Sequence, residues 1–166
     1  MKDEIKGQLA SLFAQDKQKA EVAVLEKLER EAQAKDNDAE FLRIRETVIV
    51  PAMREMSEFI ITHGWDSDIS IEEGRSESGE HASPAKIAIT LFRGSRPAYY
   101  QQHDHPHVAV VHSQGSAGVW FPTSTIMPGR GGSSSSGAGV LLSEVTAEMV
   151  QGYIVNVLSR VLNGMP

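Results

Sequence analysis

KIAITLFRGSRPAYYQQHDHPHVAVVHS, residues 86–113, decides the fold. Its two ends, KIAITLFR (86–93) and HVAVVHS (107–113), are rich in β-branched and aromatic residues and read as strands. Both carry apolar side chains on each face: Ile87, Ile89 and Leu91 oppose Ala88 and Phe92, and Val108 and Val110 oppose Ala109 and Val111. Strands of this kind belong in the middle of a sheet that is covered on both sides. Working outward, DISIEE (68–73) alternates, with Ile69 and Ile71 to one side, and QGSAG (114–118) is a short turn leading into VWFPTST (119–125). Pro122 has no amide to give a ladder, which places 119–125 at an edge. The simplest arrangement is a four-stranded antiparallel meander in sequence order.

Helical periodicity brackets the sheet. Residues 1–34 contain no proline and one glycine, Gly7. Ile5, Leu9, Leu12 and Phe13 form one apolar face, and Ala20, Val24, Leu25 and Leu28 form another, separated by the polar run AQDKQKAE. A stripe interrupted in this way makes a poor coiled-coil seam. KDND (35–38) breaks the pattern, and Asn37 with Glu40 has capping-box spacing, so a second helix is expected over 39–63 and the N-terminal part becomes a long helical hairpin. Pro51 predicts a kink or restart inside that helix, and Gly64 ends it. MPGRGGSSSSGAG (127–139) reads by composition as a flexible loop. An amphipathic helix over 147–162 follows, with Thr146 as N-cap and Val150, Ile154, Val157 and Val161 along the stripe packed on the sheet. The fold class is therefore α+β: an N-terminal helical extension (1–36) and an α+β domain (37–166). The C-terminal helix covers one sheet face and helix 39–63 the other; if both share a face, a second subunit must cover the bare one.

Composition removes several function classes. The net charge is −6 and no basic stripe is present, which argues against a nucleic-acid partner. Absence of cysteine excludes disulfides, thiol nucleophiles and Cys-based metal centres. The start, MKDEIKGQLASLF, is too charged for a secretory signal, and no window approaches the ~20 apolar residues of a membrane span, so a cytoplasmic location without membrane association is expected.

A meander brings loops 94–106 and 127–139 and the 64–67 junction to one end, which collects most of the reactive side chains. His103, His105 and His107 lie at i, i+2, i+4, so an extended chain turns three imidazoles to one side; with His63 they are candidate ligands for zinc or another divalent metal. Pro106 interrupts that alternation, and a polar, solvated loop is the competing reading. Arg96, Tyr99, Tyr100 and Arg130 are candidates for a small anionic or aromatic ligand, although GRGGSSSSGAG lacks the lysine and spacing of a P-loop. His112 shares a face with Val108 and Val110 and is expected to be a buried, hydrogen-bonded core residue. No GxSxG elbow is present, and no pair of carboxylates has a diagnostic spacing. The leading expectation is a non-enzymatic protein–protein interaction or assembly module without a cofactor, homo-oligomeric through Ile5, Leu9, Leu12, Phe13, Val24 and Leu28. The alternative is a small metal- or ligand-binding protein built on the histidines.

Overall fold

The computed structural model describes residues 2–75 and 82–164; His81 and most of the 75–84 loop lie outside them. The period-2 segments form one antiparallel sheet and the period-3.6 segments form helices, so the fold is α+β. The strands are β1 (Trp65–Glu72), β2 (Ala85–Arg93), β3 (His107–His112), β4 (Gly118–Trp120), β5 (Thr123–Ser124), β6 (Ser134–Ser135) and β7 (Gly139–Leu141). Their order is β1-β2-β3-β4-β7, with β5 beside β3 and β6 beside β5. The expected meander is thus present but has one more rank, because 134–141 runs back along 118–124.

That extra rank corrects the flexible-loop expectation for 127–139. Met127 N–H donates to the Gly131 carbonyl at 2.9 Å and Arg130 N–H to Met127 at 3.1 Å, closing a tight turn, and the serine-rich stretch then pairs with β5. Serine and glycine supply backbone amides and carbonyls as well as any residue; composition does not reveal a partner strand. Both outer ranks break at Phe121–Pro122. The Pro122 carbonyl still accepts from Ala109 N–H at 2.9 Å, but Pro122 has no donor for the opposite side. Trp120 pairs with Gly139 and Thr123 with Ser135, so residues 136–138 bulge around the break.

The expected helical hairpin is also corrected. α1 runs without interruption from Asp3 to Ile44, followed by a π-helical turn (Arg45–Ile49) and α2 (Val50–Ile61). Asn37 and Glu40 do not cap a new helix. Asn37 Nδ2 donates to the Gly115 carbonyl at 2.9 Å, and the Glu40 carboxylate is held by Arg43 at 2.6 Å. The restart expected at Pro51 does occur: the wide π turn precedes it and Pro51 sits in the first turn of α2, where its missing N–H costs no helical bond. Gly64, with φ +80, follows α2 as anticipated.

α3 (Ala147–Leu162) starts where Thr146 Oγ1 accepts from Met149 N–H at 3.2 Å. Phe41, Ile44, Ile49, Met53 and Ile60 from the α1–α2 run join Val150, Ile154 and Val157 of α3 over Ile87, Ile89, Leu91, Val108 and Val110. Both helical layers therefore share one sheet face, and helix 39–63 does not cover the other. The second face is shielded from within the chain. Ala88 and Ala109 are small enough to be buried among their neighbours, with Val111 and Trp120 beside them, while the 94–106 segment folds over Phe92 and Thr90. A second subunit is not required there.

Candidate functional site

The 94–106 segment is a strap pinned across β1 and β2. Period-2 alternation turns Asp66 and Asp68 to the face opposite the helices, where they meet it. Asp66 Oδ2 accepts from Arg96 N–H at 3.0 Å; Asp68 accepts from Arg96 Nη1 at 2.7 Å and from the Tyr100 hydroxyl. Tyr100 and His105 pack edge-on against Phe92, with ring centroids 4.8 and 4.9 Å away, and Gln102 Nε2 donates to Thr90 Oγ1 at 3.2 Å. Burial, and then the neighbouring Asp68 carboxylate, push the Tyr100 phenol up to about 12. Tyr100 is therefore a neutral donor at ordinary pH, suited to holding the strap and unsuited to act as a base.

The candidate metal ligands are distributed rather than gathered. Gln102–Asp104 forms a 3-10 turn, which removes the extended geometry that the i, i+2, i+4 spacing needs. His103 lies at the surface, 3.4 Å from Asp104 Oδ1; His105 is set among the aromatic rings of the strap. His107 Nδ1–H donates to the His105 carbonyl at 2.9 Å, and burial lowers its pKa. His63 lies against Phe59 after the end of α2, with ring centroids 4.6 Å apart and the rings tilted by 35°. Among the described residues, no group of three or more histidine or carboxylate side chains is placed to hold a metal ion.

The loop ends meet as the meander implies. Tyr99, Tyr100, Asp104 and His105 face Ile126–Gly131 across an open groove, and Tyr99 is 96% exposed. The four candidate ligand-binding residues do not form one site, however. Arg96 is committed to Asp68, and Arg130 lines a different cavity of about 270 Å³ with Arg93, Thr125, Gly131 and Gly132. Arg93 was legible in the alternation of β2, which sets it on the face of Ile87, Ile89 and Leu91 and so toward α3.

His112 is the buried core histidine that its strand position implied. It is 3% exposed, stacks on Phe41 at 4.3 Å and 9°, and donates from Nε2 to the Ser116 carbonyl at 2.9 Å. Around it, the β3–β4 turn is gripped by the last part of α1. Asp38 Oδ1 accepts from Gly115 N–H at 2.6 Å, and a Cβ on Gly115 would come within 2.9 Å of Ala34 Cβ. The capping-box spacing of Asn37 with Glu40 gave no sign of this clamp, in which Asn37 and Asp38 both hold Gly115.

N-terminal to the clamp, every described residue of α1 from Asp3 to Gln33 is exposed. Ile5, Leu9, Leu12, Phe13, Val24 and Leu28 are 39–70% exposed. At 1.5 Å per residue this is a helical arm about 45 Å long. Glu26 pairs with Arg30 at 3.6 Å along it, and Lys27 with Glu31 at 3.9 Å. Among the described residues, no helix is long and apolar enough to cross a membrane. No protein-family model, curated protein or solved structure matches the chain.

Proposed function

We propose that the chain is a non-enzymatic assembly module that pairs with a second copy of itself through the N-terminal arm of α1. The supporting observation is that Ile5, Leu9, Leu12, Phe13, Val24 and Leu28 lie in solvent on a continuous helix. Burying a side chain of this class contributes about 1.5–3 kcal/mol, so six of them, each already partly covered, amount to about 10 kcal/mol gross. Association costs about 4–15 kcal/mol, which makes the pairing reversible rather than obligate. Charge is no obstacle: residues 2–33 carry six Lys or Arg and seven Asp or Glu, a net of −1, so most of the net −6 lies elsewhere. The polar cluster at Asp68, Arg96 and Tyr100 is occupied in holding the strap, which favours a binding role over catalysis.

Light scattering on the full chain tests this. Wild type is expected to be larger than a monomer in a concentration-dependent manner, and Leu9→Glu/Phe13→Glu/Leu28→Glu to be monomeric with unchanged strand content by circular dichroism. A wild type that stays monomeric throughout the concentration range eliminates the proposal.

A further inference from the structure

We infer that the cavity between the Met127–Gly131 turn and the end of α3 is a binding site for a phosphate group, either free or as a small monoester. Arg93, the last residue of β2, and Arg130, at the turn, both line this cavity of about 270 Å³. Neither guanidinium has an ion pair or hydrogen bond among the described residues. Elsewhere in this acidic chain Arg30, Arg43, Arg45 and Arg96 each have a carboxylate partner. Among the described residues the cavity lining contains no carboxylate, so two cations share one space without a counterion from them.

The backbone adds a donor. The amide of Gly132 (φ +151) donates to no group among the described residues, beside Gly131 (φ +70), which is bridged to Met127 across the turn. Successive amides in such conformations form anion-binding concavities. Glycine is mandatory at 132, where a Cβ would lie 2.6 Å from the Ile126 backbone, and it also leaves the amide unshielded. The turn is held in place from both sides. Thr125 Oγ1 accepts from Ser133 N–H at 3.1 Å, and Arg160 on α3 donates to Ser133 Oγ at 3.1 Å. Two guanidinium forks beside the Gly132 amide match a tetrahedral oxyanion better than a spherical ion. The volume lies just below the usual range of small-ligand pockets, and Met127 and Val161 supply an apolar wall for a short tail.

The competing explanation is that these arginines only offset the carbonyl end of the α3 dipole, and it predicts no preference for phosphate over chloride. Amide and arginine Nε–H resonances of the full chain should be followed during titration with inorganic phosphate, glycerol 3-phosphate and, at matched ionic strength, sodium chloride. Saturable shifts at Gly131, Gly132, Arg93 and Arg130 are expected with the phosphates alone. A larger affinity for the ester assigns an organic phosphate, and a larger affinity for the free ion assigns inorganic phosphate. Arg93→Gln and Arg130→Gln should each weaken binding by about tenfold or more, as loss of a charge-assisted hydrogen bond does. Both residues are exposed and their side chains are unpaired among the described residues, so the fold should be unaffected, and Arg130→Lys should retain part of the affinity. Shifts that chloride reproduces, that do not saturate, or that persist in both glutamine variants overturn the assignment.

Discussion

Asp68 accepts from two donors that approach along the strap, Arg96 and Tyr100, and the consequence can be read in the titration of the phenol. Folding holds the Tyr100 proton more tightly than the unfolded chain does, raising its pKa from 10.0 to about 12. The stability linked to this is complete below pH 10 and is lost as pH rises through about 12, because the unfolded chain releases the proton first. Tyr100→Phe removes the titrating group. At neutral pH it should cost about 1 kcal/mol, somewhat less than the usual value for a hydrogen bond to a charged acceptor, since both partners are partly exposed. The stability gap between wild type and variant should then narrow as pH climbs from 10 toward 12. Urea unfolding across that window measures it, and a gap that stays constant would show that the phenol is not held by its burial and by Asp68.

Among the elements, the return arm 132–141 shows most plainly what a sequence conceals. Gly137, with φ +81, passes so close to the break in the neighbouring rank that an added Cβ would lie 2.1 Å from the Phe121 carbonyl oxygen. Gly137→Ala therefore has to move backbone as well as adopt a conformation that L-residues avoid, and should destabilise by about 2–4 kcal/mol. Gly139→Ala, two residues on with open space around it, should cost less than about 1 kcal/mol. Equal urea midpoints for the two variants would refute the close approach. None of this was visible in SSSSGAG, because the demand for glycine arises in Phe121 and Pro122, on another strand. The same holds for Asn37 and Asp38, whose local pattern promises a helix start while their side chains are engaged by Gly115, 77 or 78 residues away. Where structure is fixed locally, the sequence suffices. α3 was legible from Val150, Ile154 and Val157 and from the Thr146 cap, and β2 and β3 from their two-faced apolar runs. The candidate site was legible only as a location. Alternation and loop order brought 99–105 to the 126–131 turn, but side-chain pairing across loops separated His103, His105 and His107 and joined Arg130 to Arg93 instead of Arg96.

At the scale of the molecule, α1 belongs to two environments. From Phe41 onward it is core: Phe41 and Ile44 are each 2% exposed, and Phe41 forms the platform for His112. From Asp3 to Gln33 it is exposed along its whole length among the described residues, and Ala34, Asn37 and Asp38 form the clamp between the two. A helix with no partner along most of its length has little tertiary stabilisation, so the arm should contribute almost nothing to the cooperative unfolding of the rest. Removing residues 2–33 is accordingly expected to shift the thermal midpoint by only a few degrees, equivalent to about 1 kcal/mol or less. Removing residues 2–41 takes away the clamp and the Phe41 ring as well, and should cost about 3–5 kcal/mol, the usual range for deleting a buried phenylalanine. Circular dichroism melts of the two truncations beside the full chain distinguish these outcomes, and they also probe the proposed division into an extension over 1–36 and a domain over 37–166. If the shorter truncation already unfolds the sheet, the arm is structural and cannot be the spare surface that self-assembly needs. If it leaves the sheet intact while abolishing the larger species in solution, stability and assembly reside in different parts of one helix, joined at Asn37 and Asp38.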